Sequence, residues 1–286
     1  MINRRFFLLS GVAASSFPVL ADTVHDRFDD LRRRLGRGAR LGVAAIDTGT
    51  ERTIQSDARS RFAMASTFKL ALAGGVLAEA DAGRLKLDEL LRIRPQHMFP
   101  HAPVVRAAGA GASLSLHQLC AAAVEASDNG AANLLLQRIG GPPALTRFFR
   151  RCGDTVSRLD RYEMELNSNL PGDARDTTSP AAMLHTMRTL LLGDLLKPAS
   201  RQQLTSWMVN SNRGLDRLRA GLPAGWRAGS KAGTGARGAM NDLLIAWPPN
   251  RATILIASYL DAPAATEEVR TSAHRDIAKR VTALLG

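Results

Sequence analysis

Met240-Asn241-Asp242-Leu243-Leu244-Ile245-Ala246-Trp247 and Thr253-Ile254-Leu255-Ile256-Ala257-Ser258-Tyr259-Leu260 are two apolar runs of strand length, separated by the turn-forming Pro248-Pro249-Asn250. A third run, Trp226–Gly233, precedes them across a Gly-rich connection. Connections this short join antiparallel neighbours. The last segment, Ala265–Leu285, has the spacing of an amphipathic helix. Near the start, Arg40–Asp47 reads as a strand that meets Arg52–Gln55 across the hairpin-like turn Thr48-Gly49-Thr50-Glu51. Between these ends, helical periodicity covers Thr67–Ala80, Leu116–Ala126, Ala131–Ile139, Pro143–Arg150, Pro180–Leu191 and Arg201–Met208.

The order of strands, helices and strands again predicts an α+β fold. An antiparallel sheet flanked by helices is built from the N- and C-terminal segments (22–57 and 209–286), and an all-helical domain (58–208) is inserted between them. An active site is expected in the cleft between the two.

The 286 residues carry 38 Lys+Arg against 26 Asp+Glu, a formal charge of +12, and only 5% are aromatic. The basic residues are scattered among acids, which argues against nucleic-acid binding. Two cysteines, Cys120 and Cys152, exclude a disulfide framework and a cysteine-based zinc cluster. His97 and His101 have a metal-like spacing, but Pro100 breaks any helix that would align them, so no metal is expected. At the N-terminus, Arg4-Arg5 is followed by Phe6-Phe7-Leu8-Leu9 and by small and apolar residues as far as Val19-Leu20-Ala21. This is the layout of an export signal over residues 1–21, too short and too polar for a membrane anchor. The arginine pair resembles a twin-arginine signal, which implies a periplasmic protein exported already folded.

Three short motifs carry chemistry. In Ser66-Thr67-Phe68-Lys69, a serine that opens a helix has a lysine one turn later on the same face. The helix N-terminus adds amides that favour a developing oxyanion. Taken alone, the motif reads more readily as a capping serine with a solvated lysine. Ser127-Asp128-Asn129 likewise reads as an N-cap for the helix at Ala131. Lys231-Ala232-Gly233-Thr234-Gly235 lies on a strand entering a Gly-rich turn, where Thr234 has a backbone amide to offer and the glycines permit close substrate approach.

A fourth element distinguishes between these readings. Arg161-Tyr162-Glu163-Met164-Glu165-Leu166-Asn167, followed by Leu170-Pro171-Gly172-Asp173-Ala174-Arg175-Asp176-Thr177-Thr178-Ser179-Pro180, closely resembles the Ω-loop of class A serine β-lactamases. The order S-x-x-K, S-D-N and K-[ST]-G matches that family too. The resemblance runs from about Leu41 to the C-terminus, with the Ω-loop over about 158–176. It implies hydrolysis of penicillins and some cephalosporins, antibiotic resistance, no cofactor, and a monomer whose only partners are β-lactam substrates.

Carried onto this chain, the resemblance makes Ser66 the acyl-accepting nucleophile, with Lys69 in the proton relay. Ser127 passes the proton to the lactam nitrogen, and Lys231 holds Ser127 and the substrate carboxylate. Glu163 and Asn167 place the deacylating water. Asn129, Gly233, Thr234, Arg217 and His101 contact substrate, and the backbone amides of Ser66 and Thr234 form the oxyanion hole. Arg161 and Asp176 tie the ends of the Ω-loop together, and the Glu163–Met164 peptide bond is expected to be cis. The remaining alternatives are a D-Ala-D-Ala peptidase or penicillin-binding protein, and a slowly deacylating β-lactam sensor. Glu163 opposes both, because those proteins stay acylated.

Several positions depart from the family pattern. Ala232 replaces the Ser/Thr of K-[ST]-G, so a hydroxyl facing the substrate carboxylate is missing. Met240 stands where some members carry a carboxylate-binding arginine, which leaves that role to Arg217. His101 replaces an aromatic wall residue. Cys120 matches one half of a disulfide found in some members, but its partner position here is Ala73, so both cysteines are expected free and buried. Ala65 and Gly235 occupy the two positions that form a disulfide in a carbapenemase subgroup, which argues against that subgroup.

Overall fold

The computed structural model describes residues 25–285, so the expected export signal lies outside the described residues. Helix α1 (Asp29–Leu35) is followed by strands β1 (Arg40–Asp47), β2 (Thr53–Ser56) and β3 (Phe62–Ala63). Next come α2 (Phe68–Asp81), β4 (Leu90–Arg92), α3 (Pro103–Ala108), β5 (Ser113–Ser115), α4 (Leu116–Glu125), α5 (Asn129–Ile139) and α6 (Pro142–Arg151). After the Ω-loop come β6 (Thr177–Thr178), α7 (Pro180–Leu191), α8 (Pro198–Val209), β7 (Arg227–Thr234), β8 (Ala239–Trp247), β9 (Ile254–Asp261) and α9 (Glu267–Leu285).

The principal sheet has the strand order β2-β1-β9-β8-β7, antiparallel throughout. The N-terminal hairpin therefore joins the C-terminal strands edge to edge, with Leu41 opposite Leu260. Two small ladders complete the pairing, β3 with β6 and β4 with β5.

The sheet is apolar on both faces because helices cover both. Side chains alternate between faces along a strand, and the two parities enter different cores. Val43, Ala45, Leu244 and Ile256 pack with Phe28, Leu31, Ile277 and Val281 of the terminal helical segments. Their neighbours Ala44, Ile46, Leu243, Ile245 and Leu255 pack against the inserted helices. At roughly 1.5–3 kcal/mol per large apolar side chain buried, this double cover gives the central strands their near-continuous hydrophobic runs.

Helix α2 runs through the middle of the helical body, with every residue from Phe68 to Ala78 buried. That position explains its small residues. A Cβ at Gly74 would stand 3.0 Å from Leu190, and one at Gly75 would stand 3.4 Å from Phe148. The serine of the S-x-x-K motif lies one step outside this helix. Ser66 occupies a 3-10 turn, Ala65–Thr67, entered through Ala65 at φ +43°. Helix α3 starts with Pro103 in its first turn, where a missing N–H is harmless.

Candidate active site

The cleft between sheet and helical body has a volume of about 560 Å³. Of the residues singled out in the sequence, Ser66, Ser127, Asn129, Asn167, Arg217, Gly233, Thr234 and His101 all line it. Lys69, Glu163 and Lys231 lie beneath its surface, fully or almost fully buried. Arg161 and Asp176 stand apart from it, at the neck of the Ω-loop.

Lys69 projects from the first turn of α2. Its Nζ donates to Ser127 O at 2.9 Å and to Asn129 Oδ1 at 2.5 Å, and it lies 2.9 Å from Glu163 Oε1. Burial pulls the Lys69 pKa down, and the charge of Glu163 opposes that pull. Lys231 donates to Ser127 Oγ at 3.0 Å and to Ala232 O at 2.7 Å. Burial, reinforced by the like charge of Lys69, lowers the Lys231 pKa well below the ordinary lysine value. Ser127 is therefore gripped from both sides, its carbonyl by one lysine and its hydroxyl by the other. Its backbone is in the left-handed region at φ +57°, a conformation a serine keeps only when its surroundings enforce it.

Glu163 is fixed through its backbone. Its N–H donates to Asn133 Oδ1 at 2.9 Å, and its carbonyl accepts from Asn133 Nδ2 at 3.0 Å. Asn167 Nδ2 donates to Glu163 Oε2 at 2.6 Å, and the Glu163–Met164 bond is cis. Glu163 Oε1 faces the Lys69 ammonium, and the buried Asn167 Oδ1 has no protein hydrogen-bond donor. At the loop neck, Arg161 Nε donates to Asp176 Oδ2 at 2.6 Å, while Asp176 Oδ1 accepts from the amides of Asp160 and Arg161 at 2.7 and 2.9 Å.

At the other end of the cleft, Arg217 donates to Gly233 O and Asn241 O, both at 2.9 Å, and to Thr234 Oγ1 at 2.7 Å. It thereby orients the Thr234 hydroxyl, two residues beyond Ala232, where the family pattern has a side-chain oxygen. Met240 is fully buried under the sheet with Thr271 Oγ1 3.8 Å from its sulfur, so it has no access to the cleft. Burial lowers the pKa of His101, helped by the charges of Arg213 and Lys69, which favours the neutral ring at the cleft wall.

Three contributors escaped the sequence reading. Asn133 looked like an ordinary polar residue of α5, although an asparagine among buried leucines is a signal that it serves a partner. Asp128 does more than cap α5 through Ala131 N at 2.8 Å; its other oxygen accepts from Val104 N and Val105 N at 2.8 and 3.0 Å, so it also anchors α3. Arg213 lines the cleft beside Gly214. Among the described residues, no group of three or more His, Cys, Asp or Glu side chains is arranged to hold a metal ion. Cys120 and Cys152 are free and buried.

A hydroxyl at the mouth of a central helix, two buried lysines around a second serine, and a loop carboxylate beside the first lysine form an arrangement for acyl transfer followed by hydrolysis. The chain belongs to the class A serine β-lactamases, hydrolases of the β-lactam amide. The Beta-lactamase enzyme family profile matches residues 25–285. The carbapenem-hydrolyzing β-lactamase KPC of Klebsiella oxytoca is 42% identical over 92% of this chain and 90% of its own length. β-lactamase L2 of Stenotrophomonas maltophilia is 39% identical over 100% of both chains. Among solved structures, the class A β-lactamase of the last common ancestor of Gram-negative bacteria superposes with a TM-score of 0.88 at 47% identity, over 92% of this chain and 99% of that one. A β-lactamase from Xanthomonas campestris gives 0.86 at 46%, over 90% and 98%.

Proposed function

We propose that this enzyme hydrolyses penicillins and some cephalosporins through an acyl-Ser66 intermediate and thereby confers antibiotic resistance. The Ser66 proton leaves through the Lys69–Glu163 pair as Oγ attacks the lactam carbonyl. The oxyanion is met by the backbone amides of Ser66 and Thr234. Ser127, its hydroxyl held by Lys231, delivers a proton to the departing lactam nitrogen. The substrate carboxylate faces Lys231, Thr234 and Arg217, while Asn129, Gly233 and His101 contact the rest of the molecule.

Deacylation is the step that separates turnover from trapping. Glu163 takes a proton from water as the water attacks the ester, with Asn167 as the second holder of that water. The observation that carries this reading is the pairing of the Glu163 carboxylate with Asn167: Asn167 Nδ2 donates to Glu163 Oε2, and the buried Asn167 Oδ1 stands beside it as a second acceptor with no protein donor. Two acceptors match the two protons of one water molecule.

The relative KPC is named for carbapenem hydrolysis. This chain has Ala65 and Gly235 at the disulfide positions of the carbapenemase subgroup, so carbapenems are left out of the proposal. The Arg4-Arg5 leader supports export through the twin-arginine pathway to the periplasm, and no helix among the described residues is long and apolar enough to cross a membrane. The domain division at residues 57/58 and 208/209 and a monomeric state belong to the same proposal.

The test is a stopped-flow and mass-spectrometric time course with benzylpenicillin on wild type and Glu163→Ala. Expected are rapid wild-type turnover and a stable mass adduct on Ser66 in the variant. A stable adduct in the wild type would identify a penicillin-binding protein or sensor instead.

A further inference from the structure

A second cavity, of about 630 Å³, lies between the outer half of the Ω-loop and the sheet corner where Arg40 opposes Asp261. Five arginines from separate parts of the chain line it: Arg40, Arg61, Arg161, Arg175 and Arg237. Two carboxylates of the lining, Asp173 and Asp261, face them, and Asp176 pairs with Arg161 at 2.6 Å from behind the wall, so five cations meet three anions. Asp173 is shared, 2.8 Å from Arg175 and 3.8 Å from Arg161, and Asp261 is 3.8 Å from Arg40. Arg61 Nη1 donates to neutral acceptors, Val156 O and Thr177 Oγ1. Cations gathered around one concavity repel each other unless an anion joins them. Guanidinium groups suit a phosphate oxyanion because each presents two parallel donors.

We propose that this cavity is a binding site for a small, soluble, multivalent phosphate anion. The anion bridges Arg161 and Arg175 of the Ω-loop to Arg40, Arg61 and Arg237 on the opposite wall. The site is joined to the cleft by hydrogen bonds. Asn169 Nδ2 donates to Asp261 Oδ1 at 3.0 Å and to Ala236 O at 3.2 Å, and Ala236 N donates to Asn167 O at 2.9 Å. Asn167 in turn holds Glu163. An occupant therefore restrains the segment on which the proposed general base stands.

The probe is inorganic pyrophosphate, titrated at constant ionic strength into wild type and the double variant Arg61→Gln/Arg175→Gln, with heat of binding and Tm recorded. Saturable binding and a rise in Tm are expected for the wild type. Each lost guanidinium should weaken affinity about tenfold, the loss of one charge-assisted contact. Equal affinity in both proteins, or no saturable heat in the wild type, overturns the proposal. If the double variant does not fold, Arg237→Gln, an exposed loop position, replaces it with the same criterion. Pyrophosphate binding only at Lys231 and Arg217 is the competing outcome: a rise in KM for benzylpenicillin that persists unchanged in the variants, with no other binding, overturns the proposal too. The thermal and calorimetric readouts do not depend on the hydrolytic mechanism, so either idea can fail without the other.

Discussion

Lys69 Nζ lies 2.9 Å from Glu163 Oε1, and neither side chain has any exposed surface. Nζ carries three N–H donors: two go to Ser127 O and Asn129 Oδ1, and the third is within reach of Oε1. Such a pair is sustained by mutual charge in a low-dielectric site, and either member alone is costly. The acid and the base of the proposed mechanism are thus also structural partners.

Replacing Lys69 by Met strands the Glu163 carboxylate. Lys69→Met is expected to lose about 3–5 kcal/mol of stability, the usual cost of orphaning one member of a buried pair. Adding Glu163→Gln should recover much of that loss while leaving the enzyme inactive. Urea unfolding of the two variants checks this, and a single variant as stable as the wild type would refute it.

Asn133 holds both sides of the Glu163 peptide unit. Asn133→Ala removes both hydrogen bonds, about 2 kcal/mol together, and frees the carboxylate to wander. Deacylation should slow at least tenfold while acylation is retained, so the benzylpenicillin progress curve acquires a burst equal to the enzyme concentration. Absence of a burst, with Tm lowered, would assign Asn133 a purely structural role.

Arg217 donates to Thr234 Oγ1 at the end of the cleft where the proposed mechanism puts the substrate carboxylate. Arg217→Ala is expected to raise KM for benzylpenicillin about tenfold or more, with a smaller change in kcat, since the lost contact serves ground state and transition state alike. A penicillin whose carboxylate is esterified should be indifferent to the substitution. Equal losses on both substrates would sink the assignment.

Asp242, buried beneath this end, titrates far from its usual range. Burial lifts its pKa from 3.8 to about 7, against the pull of Arg217. The folded state thus favours the protonated acid. Its contribution is complete below pH 4 and is lost as pH rises through 7. Asp242→Asn abolishes this titration, so the stability of the variant relative to wild type should increase between pH 4 and 7, by at most about 1.4 kcal/mol per pH unit. Thermal unfolding at several pH values measures the slope; a flat difference would contradict it.

The sheet was legible because its strands announce themselves by composition, and its antiparallel order by short proline- and glycine-bearing turns. The inserted helices were legible by period, and most of the residues that meet at the cleft by four motifs, with Arg217 and His101 reached only through the family resemblance. What stayed hidden is what depends on distant partners. Helix α3 is only six residues long and is held by Asp128, 24 residues downstream in the case of Val104. The 3-10 turn at Ser66 begins with a left-handed alanine that local propensity would never select. Asn133 is meaningful only once the Ω-loop folds back onto α5.

The strand order has a consequence for how the polypeptide is made. β1 leaves the ribosome well before its long partner β9, which lies about 200 residues downstream. Until β9 emerges, β1 has only the short hairpin strand β2 beside it, and Lys231 has no completed sheet to stand on. The helical body, rich in local contacts, can form earlier, whereas the cleft cannot exist before β9 has been made. A ribosome that stops before β9 would release a chain with Ser66 and Lys69 in place and the cleft around them unassembled.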